Sequence, residues 1–444
     1  MPRIFWFRRD LRLSDNPALN AALSGGETTY LVASADLLGQ KFSQLSEIRK
    51  NSLRASWNSL SSDLDGRLTI VESPTEVVQL AKQVQATEVF ASAVFDTNGV
   101  KELSAIGKDL ASVGKRLVTS GGNYAVTPGT VRKSDGTPYR VYTPFFNEWN
   151  KINPGLPISR PSLENVAERL QVNFDPHLNL GDSINAGETF ALKTLRRFID
   201  SRVKDYADLR NRADLGGTSH LSHALSHGEI HPRTILQLLP ACPGADVFRK
   251  EIAWREFYAD VLWHNPASLT DYLDPKFKRM RYEFDEAVLK RWKEGKTGFP
   301  MVDAGMRQLA TTGWMHNRVR MIVASFLIKD LHFEWQIGAE WFEQNLTDFD
   351  PASNSHGWQW TAGCGTDASP YYRVFNPVMQ GLKFDPNGDY VRKYIPELRH
   401  LAGPKAHEPW EATDGYDLGY STRIVDHAKE RIEALARLEE LKTS

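Results

Sequence analysis

A short segment in the last quarter of the chain combines acids, an amide and two indole rings. It contains Asp348, Asp350 and Asn354, followed closely by Trp358 and Trp360, with small residues among them. This composition is typical of a loop, in which large rings are exposed or face a ligand rather than pack in a core. Carboxylate and amide groups beside indole rings predict a binding site for a planar heterocycle that forms hydrogen bonds.

A second set of polar and aromatic residues falls on predicted helices. Glu251 and Trp254 are three positions apart, so both side chains lie on the same helix face. An exposed carboxylate beside an exposed indole can hold an unpaired pyrimidine by hydrogen bonding and stacking. Asn317, Arg318 and Met321 line one side of another predicted helix in the same way.

Four histidines, His220, His223, His227 and His231, are spaced three, four and four residues apart. On one helix they would form a stripe, which raises the hypothesis of a zinc site. No carboxylate or cysteine apart from Glu229 completes a compact cluster. Packing and contact with a phosphate explain the stripe better, and no metal site is predicted.

The composition limits the partners and the location of the protein. The 444 residues carry a formal net charge of −1, so nucleic-acid binding would need a local basic patch. Residues 276–281 are one candidate, although a solvated loop explains them equally well.

With only Cys242 and Cys364, neither a disulfide framework nor a cysteine-based zinc site is expected. Lacking a membrane-spanning run or signal peptide, the chain is expected to be a soluble cytoplasmic protein with no membrane partner.

Apolar periodicity divides the chain into two parts of different character. In the first part, short apolar runs alternate with amphipathic stretches, which predicts a parallel sheet with helices on both faces. The predicted strands are residues 4–7, 29–33, 68–71, 89–91 and 116–119. From about residue 190 onward the spacing is helical almost throughout. We therefore predict an α/β domain over residues 1–123, a long linker over 124–190 and a helical domain over 191–444.

Several motifs resemble those of the photolyase/cryptochrome family over nearly the whole chain. They are residues 5–13 (FWFRRDLRL), 254–258 (WREFY), 297–309 (TGFPMVDAGMRQL), 357–360 (GWQW) and 373–377 (RVFNP). The closest resemblance is to cyclobutane pyrimidine dimer photolyases of the class I type. It implies a Rossmann-like antenna-type domain followed by a larger all-α domain that binds FAD and the DNA lesion.

The resemblance assigns a set of residues to FAD. Six residues match the positions that hold the FAD phosphates: Tyr206, Thr218, Ser219, His220, Leu221 and Ser222. At one of these positions, His220 replaces the usual arginine of the family. Those matching positions beside the flavin ring are Phe248, Arg320, Asp348, Asp350 and Asn354. Phe248 stands where some relatives have a tryptophan, and Arg320 and Asp348 match an ion pair. Asn354 matches the residue that faces flavin N5, where plant cryptochromes carry Asp and animal cryptochromes usually carry Cys.

The resemblance also implies a DNA site for a flipped cyclobutane pyrimidine dimer. The matching residues are Arg210, Glu251, Trp254, Asn317, Arg318, Met321, Trp360 and Arg373, of which Arg210 and Arg373 match phosphate contacts. The related (6-4) photolyases have a second histidine where this chain has Asn317, which favours the cyclobutane dimer as substrate.

Family members pass an electron to the flavin through three tryptophans. Trp358 and Trp335 match the inner two, whereas the outer position falls on Tyr282. A tyrosine can donate an electron, but its oxidised form must then lose a proton.

The resemblance predicts light-dependent repair of UV-damaged DNA by electron transfer from photoexcited reduced FAD, in a protein expected to be a monomer. A cryptochrome-like photoreceptor that signals through protein partners is the alternative. Asn354, the intact lesion pocket and the lack of residues beyond Ser444 argue against it. A flavoprotein that has lost repair is a third option, with no sign of pocket decay. Whether a deazaflavin antenna, a methenyltetrahydrofolate antenna or no antenna is bound stays open, because residues 95–102 do not reproduce the folate motif.

Overall fold

The computed structural model describes residues 1–37, 39–176, 185–367 and 372–443. By compactness the chain forms two units. The first unit comprises Met1–Tyr139, Thr143–Lys204 and Ser219–Pro266, and the second comprises Arg140–Tyr142, Asp205–Thr218 and Ala267–Ser444. The domain boundaries after residues 123 and 190 rest on the sequence pattern and stay a prediction.

The first unit contains a five-stranded parallel sheet, which confirms the predicted fold class. Its strands are β1 (Arg3–Phe7), β2 (Thr29–Ser34), β3 (Leu68–Val71), β4 (Glu88–Ser92) and β5 (Arg116–Ser120). They are arranged in the order β3-β2-β1-β4-β5, and every neighbouring pair is parallel. The central strand, β1, pairs Phe5 with Leu31 of β2 and Ile4 with Val89 of β4. The chain therefore winds outward from β1 in both directions, as in a Rossmann-like domain.

Both faces of this sheet are covered, which explains why its central strand is apolar at successive positions. Side chains alternate between the two faces of a strand. Phe5 and Phe7 of β1 pack in one cluster that includes Trp57, whereas Ile4 and Trp6 pack in another. The side chains of these four β1 residues are fully buried.

The α-helices account for about half of the remaining described chain. They are α1 (Pro17–Leu23), α2 (Glu47–Asp63), α3 (Pro74–Gln83), α4 (Thr97–Ser112), α5 (Tyr142–Trp149), α6 (Glu188–Ser201), α7 (Tyr206–Leu209), α8 (Ser222–His227), α9 (Pro232–Leu238), α10 (Pro243–His264), α11 (Glu286–Lys293), α12 (Pro300–Thr312), α13 (Asn317–Lys329), α14 (Trp335–Asn345), α15 (Pro351–Ala362), α16 (Pro377–Phe384), α17 (Asp389–Tyr394) and α18 (His427–Thr443). The amphipathic stretches between the predicted strands and the helical spacing after about residue 190 both correspond to helices in the structure.

The second unit is helical and has its own core. Trp292, Phe299, Phe326 and Trp335 are at most 1% exposed and belong to one apolar cluster. Helices α12 and α13 approach closely at Gly305, where an added Cβ would lie 2.5 Å from a methyl group of Val319. A larger residue there would push the two helices apart.

Cys242 and Cys364 are both free thiols. In the part of the chain that the structure describes, no helix combines the length and apolarity needed to span a bilayer.

Candidate active site

The acid- and tryptophan-containing segment is a helix, so the predicted loop is wrong. Helix α15 begins after Asp350, whose side chain accepts a hydrogen bond from the backbone N–H of Ser353 at 2.9 Å. Pro351 occupies the first helical position, and Gly363 ends the helix in the left-handed region with φ of 88°. An N-capping acid followed by proline is a helix-start signal that was present in the sequence.

The predicted ion pair between Arg320 and Asp348 is present in the second unit. Arg320 Nη2 lies 2.7 Å from Asp348 Oδ2, and its Nε donates to the carbonyl oxygen of Met315 at 2.8 Å. The Asp348 side chain is 2% exposed. Its second oxygen, Oδ1, is buried and has no hydrogen-bond partner among the described residues. Buried acceptors are nearly always satisfied in proteins, so this oxygen fits a bound group with an N–H donor.

Asn354 lies on α15 with its amide held in place. Its Nδ2 donates to the carbonyl oxygen of Ala339 at 3.0 Å, which leaves its side-chain oxygen for another partner. One turn further along α15, Gly357 borders open space, since nothing lies within 4 Å of the position of a Cβ. The helix therefore presents an amide and a gap side by side, an arrangement that admits a flat ligand.

Trp358 and Trp335, the two predicted relay tryptophans, are buried in the core of the second unit. Trp358 is 3% exposed and contacts Phe342, with ring centroids 5.0 Å apart. Its ring also lies against Gly338, one turn from Trp335 on α14, where an added Cβ would be 2.1 Å away. A glycine is required at position 338 because the indole occupies the space of a side chain.

The outer relay position shows a feature that the sequence did not reveal. The ring of Trp335 contacts Tyr272 at 6.2 Å and 90°, and Tyr272 stacks on Tyr282 at 6.2 Å and 24°. The separation of 63 positions between Tyr272 and Trp335 leaves no periodic signal in the sequence.

Of the residues of the predicted phosphate motif, positions 206 and 218 belong to the second unit and positions 219–222 to the first. Tyr206 is buried on α7 in the second unit, and Thr218 there is half-buried. In the first unit, the backbone N–H of Leu221 donates to Ser219 Oγ at 3.3 Å, and Ser222 begins α8. The assignment of these residues to a phosphate stays a prediction.

The histidines do not form one helical stripe, which corrects the prediction. His220 precedes α8 with φ of 54°, and His231 caps α9. The rings of His223 and His227 stack at 4.2 Å, and His223 Nε2 lies 3.5 Å from Glu229 Oε1. Among the described residues, no group of three or more His, Cys, Asp or Glu side chains is placed to hold a metal ion.

In the first unit, helix α10 carries three predicted site residues. Phe248 is buried and contacts Phe198 at 4.7 Å. Glu251 and Trp254 are half-buried and lie on α10 three positions apart, so they share one face as predicted.

In the second unit, α13 carries the other predicted lesion residues. Asn317 is exposed at the first position of the helix, and Met321 is half-buried one turn further along. Arg318 donates to Asn211 Oδ1 at 2.8 and 3.1 Å, and its guanidinium lies 4.6 Å from the ring centroid of Phe384. The guanidinium is therefore held in one orientation. Arg210 follows α7 as its C-cap.

A cavity of about 290 Å³ in the second unit brings Trp360 and Arg373 together. Its wall includes Lys329, whose Nζ donates to the carbonyl oxygen of Arg373 at 2.6 Å and lies 4.0 Å from the ring centroid of Tyr372. Burial lowers the pKa of Lys329 to about 7. Lys276 also lines this cavity, which places one residue of the predicted basic run beside Arg373. Aromatic and cationic side chains of this kind suit a nucleic-acid strand.

Comparison with known proteins gives consistent matches along the chain. A family described as DNA photolyase matches residues 3–162, and one described as the FAD binding domain of DNA photolyase matches residues 248–440. The deoxyribodipyrimidine photo-lyase of Agrobacterium fabrum is 38% identical, over 98% of this chain and 97% of that protein.

Two solved structures agree over the full length. The crystal structure of a bacterial class III photolyase from Agrobacterium tumefaciens has a TM-score of 0.89 and 36% identity, and it covers 100% of this chain and 98% of that one. A Synechocystis cryptochrome has a TM-score of 0.83 and 28% identity, with coverage of 98% and 99%.

Proposed function

This chain belongs to the photolyase/cryptochrome family, and from that premise we infer that it catalyses light-dependent repair of cyclobutane pyrimidine dimers in UV-damaged DNA. The observation that carries this is the Arg320–Asp348 ion pair, whose buried second carboxylate oxygen lacks a partner in the described chain. The finer resemblance to class I enzymes stays a prediction, since one similar structure is a class III photolyase.

The chemistry of the second unit fits FAD, which when bound absorbs blue light and, in its reduced form, supplies the electron that splits the dimer. The unpartnered oxygen of Asp348 offers an acceptor to an N–H donor, and the gap beside Gly357 admits a flat ring. The residues proposed to bind FAD are Tyr206, Thr218, Ser219, His220, Leu221, Ser222, Phe248, Arg320, Asp348, Asp350 and Asn354.

The protein's own side chains bind and orient the lesion. We propose that Glu251 forms a hydrogen bond with the imide edge of the dimer and that Trp254 stacks on one of its faces. The other proposed lesion contacts are Asn317, Arg318, Met321 and Trp360, and the proposed phosphate contacts are Arg210 and Arg373. Flipping the dimer out of the duplex is required because its reactive bonds are otherwise stacked.

A cryptochrome-like photoreceptor is less well supported. The family includes such proteins, and one of them resembles this fold. The asparagine at position 354 and the curated relatives that are photo-lyases favour repair. We further propose that the protein acts as a cytoplasmic monomer, and that any antenna is a deazaflavin or methenyltetrahydrofolate.

The test uses purified protein reconstituted with FAD and chemically reduced. It is mixed with an oligonucleotide that carries one thymine dimer, then kept dark or exposed to blue light. We expect dimer loss only in the light. Bound flavin with no loss of dimer in the light would contradict repair, and a protein that binds no flavin would contradict the cofactor assignment.

A further inference from the structure

The surroundings of Trp335 single out one neighbouring ring. The indole is 1% exposed, and within the described chain its Nε1 has no hydrogen-bond partner. Its one ring contact there is the edge-to-face contact with Tyr272. No ring contact joins Trp335 directly to Tyr282 in that part of the chain. The nearest aromatic path from Trp335 toward Tyr282 therefore passes through Tyr272.

Tyr272 also has a proton acceptor that opens to solvent. Its hydroxyl donates to Glu334 Oε1 at 3.2 Å. Glu334 is exposed and directly precedes Trp335 in the chain, so one backbone segment positions the proposed proton acceptor and the proposed electron acceptor of Tyr272. A base within about 2.6–3.2 Å of a proton is positioned to take it.

Tyrosine oxidation needs this arrangement because an oxidised phenol is a strong acid. Burial, together with the nearby charge of Glu334, raises the pKa of Tyr272 well above its usual range. The phenol therefore keeps its proton at rest and can release it only when an electron is removed. A buried tyrosine without an adjacent base would retain the proton and resist oxidation.

We propose that Tyr272 is the electron donor to Trp335, and that Glu334 accepts its phenolic proton. The inference rests on the proposed function, whose FAD, when bound in its oxidised form and excited by light, would take one electron from Trp358, which in turn would take one from Trp335. In the step itself, the oxidised Trp335 takes one electron from Tyr272 and returns to the neutral indole. The O–H bond of Tyr272 breaks, its proton forms a bond to Glu334, and a neutral tyrosyl radical is left.

This assignment makes Tyr282 the next electron donor in the relay, after Tyr272. Its ring stacks on Tyr272, and its hydroxyl lies 3.5 Å from the carbonyl oxygen of Phe277. It can pass its electron together with its phenolic proton to the oxygen of the Tyr272 radical, which re-forms the Tyr272 phenol and leaves a neutral radical on Tyr282. A thiol in solution then restores Tyr282 by giving it a hydrogen atom, and the exposed Glu334 releases the proton it accepted to water.

The experiment uses the flavin-loaded protein with its flavin oxidised. It is illuminated, frozen and examined by electron paramagnetic resonance for a tyrosyl radical. Tyr272→Phe should lose the radical. Tyr282→Phe should keep it, because Tyr272 remains in contact with Trp335. Tyr394→Phe is the matched control, since Tyr394 is also paired with a tyrosine, Tyr390 at 5.1 Å, in the same unit.

The opposite pattern, a radical that survives Tyr272→Phe and disappears in Tyr282→Phe, would overturn the proposal. Tyr282→Phe does not alter the contacts of Tyr272 with Trp335 and Glu334, so the radical signal of this variant tests the proposal even if Tyr272→Phe does not fold. Glu334→Gln should slow radical formation and reduce its solvent deuterium effect, because an amide is not a base. Formation at the parent rate would show that the proton goes elsewhere.

Failure of the proposed function would look different. The parent protein, chemically reduced, would then fail to remove dimers in the light, whatever the radical signal. Tyr394→Phe should repair like the parent in the same assay.

Discussion

Glu251 and Trp254 lie on one face of α10, yet we expect their substitutions to have opposite effects. Glu251→Ala should lower the repair yield per absorbed photon more than it lowers DNA binding, because its contact matters most in the reduced lesion. Trp254→Ala removes a stacking surface worth about 1–3 kcal/mol, so binding should weaken by roughly one to two decades while the yield in saturated complexes changes less. Binding titrations and quantum-yield measurements on the flavin-loaded variants check both. Parent-like repair by both variants would place the lesion pocket elsewhere.

Glu229 provides a second test at the residue scale. Burial alone would raise its pKa, but the hydrogen bonds from His223 and Ser56 and the charges of His223 and His227 lower it to about 2. A carboxyl group with a depressed pKa stabilises the fold above its ordinary pKa, and that contribution is lost as the pH falls from about 4.5 toward 2. Glu229→Gln should cost about 3 kcal/mol at pH 7.

Unfolding of the parent and of Glu229→Gln, followed from pH 7 down to acid, measures this effect. The difference in stability between the two proteins should shrink as the carboxyl group is protonated. Glu164→Gln, at an exposed position of the same unit, is the control and should track the parent throughout. A constant difference across the acid range would show that the ionised carboxylate is not what stabilises the site.

At the scale of elements, Arg437 links α18 to the segment around residues 281–283 of the second unit. Arg437 is 4% exposed, and its Nε donates to Glu433 Oε1 at 2.8 Å while Nη1 donates to the carbonyl oxygen of Arg281 at 2.9 Å. It also pairs with Glu283. Arg437→Met should destabilise the docked helix by about 2 kcal/mol, because charged hydrogen bonds are lost and their partners are left unpaired.

Hydrogen exchange of the α18 backbone amides reports this directly. They should exchange faster in Arg437→Met, whereas the strands of the first unit should be unaffected. Arg431→Met, at an exposed position of the same helix, should exchange like the parent. Equal exchange in both variants would mean that the other contacts of α18, such as the His332–Glu430 pair, hold the helix without Arg437.

At the scale of the whole molecule, the net charge of −1 leaves little general attraction for DNA, so local cations must supply it. Arg373 is exposed beside the cavity that contains Trp360. Arg373→Ala should weaken binding to dimer-containing DNA and reduce the slope of log affinity against log salt by about 1. Binding titrations over a range of salt concentrations measure the slope, and Arg399→Ala, also exposed in the second unit, is the control. An unchanged slope for Arg373→Ala would remove this residue from the DNA contact.

The fold class could be predicted from the local sequence, because strands and helices are specified by short-range patterns of apolar residues. Alternation of apolar runs with amphipathic stretches predicted the strands around Ile4 and Val89. Helical spacing predicted a largely helical chain after about residue 190, where α12 to α14 lie. The resemblance to a known family predicted an ion pair between Arg320 and Asp348, and the structure contains that ion pair. The prediction of a loop around Asn354 was wrong for a local reason. Asp350 caps a helix there, although the composition of the segment is typical of a loop.

Tertiary structure alone decided which distant side chains meet. The strand order β3-β2-β1-β4-β5 depends on how crossover helices pack on the sheet, and strand patterns do not specify it. Burial of one oxygen of Asp348 without a partner depends on the surrounding packing. The contact of Tyr272 with Trp335, and its hydrogen bond to Glu334, join residues more than sixty positions apart. No periodicity links such positions, because their distance is set by the folding of the whole second unit rather than by the geometry of any one helix.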